Sequence, residues 1–192
     1  MATRRYELKR RAELQEETRR RIVEAAIELH QTIGPGATTF TEIAERARVG
    51  RVTVYRHFAD EDELAGACSG LYFQRHPPPD PLRWKRIADP EKRLLTALRE
   101  TFDYHRATEA MVSRVLADGR DHPVMQPYHD HWRRAAEIVA GGRGARGPRL
   151  RLLRAGIAVA LSFDTWRALV REQGLSQKQA VEVAARLAGG RA

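Results

Sequence analysis

The 192-residue sequence predicts an all-α protein, with an N-terminal three-helix head carrying a helix-turn-helix and a C-terminal helical bundle. Three observations predict it. Apolar residues recur at helical spacing, and no window alternates with period two. Capping signatures stand at the start of several of these runs. A proline run, "HPPPDP" at 76–81, separates a region of short helices from one of longer helices.

In the first helix Ile22, Ala25, Ala26 and Leu29 form one apolar stripe, with Thr18 read as its N-cap and "GPG" at 34–36 as its stop. "TFTE", Thr39 to Glu42, has the capping-box spacing, and Ile43 and Ala44 open the apolar face of a short second helix. A third helix is expected over Arg51 to His57. "DEDE" at 60–63 then supplies a cap and acidic first-turn charges for a fourth helix that ends near Gln74. Beyond the prolines, "DPEK" at 89–92 sets proline at the first helical position behind an Asp cap, with Leu94, Leu95, Leu98 and Phe102 on the buried side. Further helices are expected near 109–118, 123–140, 149–173 and 176–188. Gly174 ends the penultimate one, and "SQKQ" at 176–179 caps the last. "GGRGARGPR", 141–149, reads as a flexible solvated loop. The expected organisation is a basic arm at 1–17, a head with connecting helix at 18–75, and a helical body at 82–190.

Composition narrows the class of function. The net charge is +9, from 34 Lys+Arg against 25 Asp+Glu, which suits a polyanionic partner. A single cysteine, Cys68, excludes an intramolecular disulfide and fits a reducing cytoplasm. The charged N-terminus has no apolar core of a secretory signal. The longest charge-free run, "AGIAVALSF" at 155–163, falls far short of the ~20 residues of a membrane span. The expectation is a cytoplasmic protein with no membrane partner.

Function concentrates in "ERARVGRVTVYRHF", Glu45 to Phe58. Two short helices joined by a tight turn, the second basic, form a helix-turn-helix; an ordinary helical hairpin with a charged face is the alternative. Ala44 must be small where the helices cross, and Val49 and Val54 must be apolar to anchor the second helix. Arg51, Val52, Thr53 and Arg56 are then free to face a DNA groove, while Tyr55 and His57 supply donors suited to phosphate.

The register of the whole head adds to this. "AA.EL" (Ala25, Ala26, Glu28, Leu29), Gly34, "TTFTEIA" at 38–44, "TVYRHF" at 53–58 and Leu64 together resemble the N-terminal domain of the TetR family of transcriptional regulators. The resemblance covers about 47 residues. It implies a sequence-specific regulator of double-stranded DNA, most often a repressor released by a small-molecule inducer, working as a homodimer on a near-palindromic operator. It implies that Thr39 contacts phosphate, that Arg51, Val52, Thr53 and Tyr55 lie along the groove, and that Arg56 and His57 reach the backbone. For Arg51 both a bidentate guanine contact and a phosphate contact remain open.

The head departs from the family pattern at several positions. Arg48 stands for the turn glycine, adding charge beside Arg51 and joining the candidate DNA contacts; Gly50 stands for a serine or threonine cap. Val52 replaces a second glycine, Glu61 a phosphate-binding lysine, and His30 a core aromatic. Arg4, Arg5, Lys9, Arg10 and Arg11 precede the head, either as an arm onto DNA or as a solvated tail.

In the body, the family pattern implies a dimer seam from the last two helices. Leu161, Leu169, Ala180, Val183, Ala184 and Leu187 are the candidates. Phe102, His105, Met111, Val115, Tyr128, Trp132 and Trp166 are candidates for an inducer pocket, with plain core as the alternative reading. No metal or cofactor is expected: His129 and His131 stand at i, i+2 and point to different helix faces, and His122 brings no cysteine with it. No catalytic residue is expected either. A helical enzyme using Asp164, His105 and the histidine cluster lacks a nucleophile–base pair or a phosphate loop. A DNA-binding regulator with a protein partner and no inducer is the remaining alternative.

Overall fold

The computed structural model describes residues 2–189, with side chains from Tyr6 onward. The side chains of Arg4 and Arg5 of the expected arm, and residue 190 at the expected end of the body, therefore lie outside what is described. Ten α-helices and no strand appear among the described residues. They run α1 Ala2–Thr32, α2 Phe40–Ala47, α3 Arg51–His57, α4 Glu61–Arg75 and α5 Pro81–Lys85, then α6 Pro90–Gly119, α7 Gln126–Ala140, α8 Gly147–Ala160, α9 Phe163–Arg167 and α10 Gln177–Leu187. Among the described residues no helix is long and apolar enough to cross a membrane.

The chain divides into two compact units. One holds the residues up to His76 with Ser113–Val124; the other holds Pro77–Val112 and the residues from Met125 onward. In the first, α1 packs against α2 and α4, and α2 against α3. Ile22, Ala26 and Leu29 of α1 meet Ile43, Ala44 and Ala47 of α2, Val54 of α3, Phe58, and Leu64, Cys68 and Tyr72 of α4 in one buried core. The two capping boxes form as expected. The Thr39 hydroxyl accepts from Glu42 N–H while the Glu42 carboxylate accepts from Thr39 N–H, and Ser176 and Gln179 do the same at α10. Asp60 caps α4 by accepting from Glu63 N–H at 2.8 Å.

Four details differ from the sequence-based expectation. Thr18 is not a cap, because α1 runs unbroken through it and its hydroxyl donates back to Leu14 O at 2.8 Å. The arm residues from Ala2 onward are consequently the first turns of α1. The helices expected from Pro90 and at 109–118 are one helix, since nothing between them breaks the backbone ladder.

The helix expected over 149–173 is interrupted. Ser162 turns to extended backbone, its hydroxyl accepts from Thr165 N–H at 3.1 Å, and a new helix starts there. A π-helical turn, Ala168–Glu172, completes the segment. The 141–149 loop is anchored, with Arg143 donating to Glu91 at 2.7 Å and to Pro90 O at 3.0 Å.

The second unit packs α7 against α5 and α8, and α8 against α9 and α10. Arg93, buried on α6, ties it together by donating to Ile87 O at 2.7 Å and to Gly141 O at 2.6 Å. These are main-chain carbonyls at helix ends, so the guanidinium fills acceptors that no helix hydrogen bond reaches.

Candidate nucleic-acid interface

The turn between α2 and α3 is built around Arg48, whose φ of 54° and ψ of 49° place it in the left-handed region. A glycine would adopt that geometry without a steric cost, while a residue with a Cβ pays about 1–2 kcal/mol. Arg48 N–H closes α2 by donating to Glu45 O at 3.1 Å, and Val49 N–H reaches Ala44 O at 2.9 Å. The turn is then held from outside. Arg21 of α1 donates through Nη2 to Ala47 O at 2.5 Å and to Arg48 O at 3.3 Å.

A second arginine of α1 does the same for α3. Arg19 donates to His57 O at 2.8 Å, lies 4.1 Å from the Phe58 ring centroid and pairs with Glu63 at 3.5 Å. Each helix of the pair thus has its C-terminal carbonyls satisfied by a guanidinium from α1, where positive charge also complements the helix dipole. Neither contact carries a local sequence signal. Arg21 is 26 residues from its acceptor and Arg19 is 38 from His57.

Within α3, Val54 and the following Phe58 are wholly buried, while Val52 is 81% exposed. Arg51, Tyr55 and Arg56 are exposed, and Thr53 and His57 half-buried. Arg51 donates to the Tyr55 hydroxyl at 3.3 Å, and the Tyr55 ring sits 5.0 Å from that of Phe40 at the start of α2. Burial, then the charges of Arg56 and Arg19, lower the His57 pKa below the usual imidazole value, so the ring is neutral near pH 7. Thr39 is engaged: its hydroxyl donates to Glu42 at 2.8 Å, and these hydrogen bonds hold that carboxylate below its usual pKa. Glu61 is exposed in the first turn of α4.

The segment 22–68 matches the family model described as bacterial regulatory proteins, tetR family. Over those residues the head is similar to the tetR family. An HTH-type transcriptional repressor of Mycobacterium tuberculosis is 42% identical to this chain over 52 residues. A transcriptional regulator of Mycobacterium bovis matches to the same extent. The match spans 27% of this chain and only 28% of that relative's length.

Whole-chain similarity is one of fold. A Clostridium perfringens regulator superposes with a TM-score of 0.63 at 18% identity, covering 90% of this chain and 98% of that one. FadR of Bacillus subtilis, solved with stearoyl-CoA, gives 0.60 at 15%, covering 88% and 95%.

The body residues are placed as follows. Phe102, His105 and Trp166 are wholly buried, and Met111 and Tyr128 nearly so. His105 gathers rings around it, with centroid distances of 5.2 Å to Trp132, 5.6 Å to Phe163 and 6.2 Å to Trp166. Tyr128 joins through Trp132 at 6.1 Å. Val115 is half-buried and falls in the 113–124 segment of the first unit.

Leu161, Ala180 and Ala184 are wholly buried within the chain, whereas Leu187 is 61% exposed. Leu169 and Val183 are half-buried. Leu152 and Val159 of α8 are also exposed, at 75% and 59%. They share a helix face with Ala155, next to Gly156, where α8 meets the end of α10. His122 lies 3.1 Å from Asp62 through Nε2.

Proposed function

We propose that the chain is a homodimeric, sequence-specific DNA-binding transcriptional regulator of the cytoplasm, a repressor released by a small-molecule ligand. One observation carries the reading. Helix α3 turns Val54 inward and sets Val52, 81% exposed, among Arg51, Tyr55 and Arg56 with no acidic residue on the helix. An exposed valine among cations is poorly explained as a solvated face. It suits a thymine methyl in the major groove, flanked by arginines that reach guanine edges or phosphates.

In this reading Arg51, Val52 and Thr53 read base edges, and Tyr55, Arg56 and His57 grip the backbone. Arg48 adds a contact from the turn. Thr39 joins by releasing its hydroxyl from Glu42. Lys9, Arg10 and Arg11, on the exposed first turns of α1, extend the phosphate contacts. Two copies joined through Leu152, Val159 and Leu187 set two α3 helices about 34–36 Å apart on a near-palindromic site. The aromatic cluster around His105 is the ligand part, and the ligand-bound FadR neighbour supports a small-molecule effector. A ligand acts by favouring a head spacing that no longer matches the site.

Selection from random-sequence duplexes at moderate salt tests this. A symmetric motif with half-sites one helical turn apart is expected. Arg51→Ala relaxes one base position, whereas Tyr55→Phe with His57→Ala weakens all sequences alike. Removing residues 2–16 makes the log–log salt dependence shallower. Enrichment of no palindrome, or an unchanged Arg51→Ala preference, would sink the reading.

A further inference from the structure

The core of the second unit contains polar groups that packing alone does not explain. Thr101, His105 and Thr108 of α6 are all fully or almost fully buried, and their i, i+4, i+7 spacing puts them on one face. Thr108 is accounted for, since its hydroxyl donates to Tyr104 O at 2.8 Å. His105 is accounted for at one nitrogen. Its Nε2 lies 2.9 Å from Leu161 O, and because a carbonyl only accepts, the proton sits on Nε2 and Nδ1 carries a lone pair.

That lone pair has no hydrogen-bond partner, although the residue is wholly buried. The indole N–H of Trp132 is also buried without a partner, and so is the Thr101 hydroxyl. The imidazole and the indole are neighbours, with centroids 5.2 Å apart, yet they do not bond to each other. An orphan acceptor and an orphan donor therefore stand on adjacent rings, and burial exposes each to the full cost of desolvation. The surroundings are aromatic: Tyr104, Phe163 and Trp166 lie 5.9, 5.6 and 6.2 Å from the imidazole. The cation packed on this cluster, Arg171 at 5.6 Å from the Trp166 ring, is already held by both oxygens of Glu109.

We propose that this cluster binds a small neutral aromatic alcohol of the phenol type, whose hydroxyl accepts from Trp132 Nε1–H and donates to His105 Nδ1. The ligand ring packs edge or face against the surrounding aromatic side chains. One hydroxyl satisfies both orphan groups at once, which a carboxylate cannot do, because it has no proton for Nδ1. An ammonium has no acceptor for the indole. A plain hydrocarbon leaves both unmet. The inference rests on the proposed reading of the body as the ligand-binding part, and it names the chemistry of that ligand.

Calorimetric titration of the full chain with phenol, toluene and benzoate is the test. Phenol should saturate one site per chain at least tenfold more tightly than toluene, with no benzoate binding. Trp132→Phe keeps a ring but removes the donor, and should bring the phenol-to-toluene ratio close to one while circular dichroism stays as in the parent. Absence of saturable phenol binding, equal affinity for phenol and toluene, or a ratio untouched by Trp132→Phe each overturns the proposal. Duplex binding by the same preparation separates the two readings. Retained DNA binding without phenol binding defeats this inference alone, and phenol binding without DNA binding defeats the regulator reading while leaving the site standing.

Discussion

The imidazole of His105 donates to the carbonyl oxygen of Leu161 across 2.9 Å, and the helix interruption between α8 and α9 makes that carbonyl available. In an unbroken helix Thr165 N–H would reach Leu161 O; here Ser162 Oγ takes it at 3.1 Å. One buried side chain thus completes the hydrogen bonding of a helix interruption 56 residues away.

That burial predicts a pH dependence of stability. Desolvation pushes the His105 pKa down to about 4, outweighing the Leu161 hydrogen bond and the Asp164 charge, which raise it. The unfolded chain takes up the proton near its ordinary 6.5 and the folded chain near 4. Stability is therefore complete above pH 6.5 and is lost as pH falls toward 4, by on the order of 3 kcal/mol. His105→Gln keeps an N–H donor and does not titrate. Urea unfolding at pH 7 and pH 4 should show the parent losing about that much more than the variant. Equal losses would remove His105 as the cause.

Much of the fold is legible in the sequence because the signals are local. Thr39 and Glu42, Asp60 and Glu63, and Ser176 and Gln179 each act over three residues, so a linear reading finds them. The break at Ser162 lies inside "AGIAVALSF", a run without glycine past 156 and without proline. Its Ser162 cap on Thr165 is local, but the His105 side chain that takes up Leu161 O lies 56 residues away. The candidate DNA helix follows the same division. The α3 exposure pattern is periodic and readable, but the Arg19 and Arg21 contacts that hold its frame come from a separate helix.

Arg48 and Arg21 make the turn testable. Arg48→Gly removes about 1–2 kcal/mol of left-handed strain. It adds roughly 0.5–1 kcal/mol of backbone freedom in the unfolded chain. A net gain of about 0.5 kcal/mol raises the melting temperature by roughly 1–2 °C. Arg48→Val should lower it, because a β-branched residue fits the left-handed region poorly. Arg21→Ala uncovers Ala47 O and Arg48 O and should cost about 1 kcal/mol. Thermal denaturation of the three variants checks the set, and a less stable Arg48→Gly would contradict the strain.

His57 predicts a pH effect on DNA binding of opposite kind to that of His105. In the free head its pKa is lowered, first by burial and then by Arg56 and Arg19. A phosphate beside the ring favours the charged form and raises the pKa in the complex. The extra affinity is present below the free pKa and disappears as pH rises through that of the complex. At fixed salt, affinity should grow several-fold between pH 7.5 and pH 5.5, and His57→Gln should flatten that rise. A parent with no pH dependence would place His57 away from phosphate.

Gly34 is required for two separable reasons. Its φ of 91° and ψ of 157° lie where essentially only glycine is found, and an added Cβ would stand 2.4 Å from Asp118 Oδ2. The same carboxylate oxygen accepts from Gly36 N–H at 3.0 Å, holding the 113–124 segment against the turn after α1. Gly34→Ala should cost at least about 2 kcal/mol, combining backbone strain of roughly 1–3 kcal/mol with the clash. Asp118→Ala alone should cost about 1 kcal/mol through the lost hydrogen bond. In the double variant the clash is gone and the strain stays, so Gly34→Ala should cost less there but not nothing. A penalty that vanishes in the double variant would assign the whole requirement to Asp118, and an unchanged penalty would assign it to the backbone.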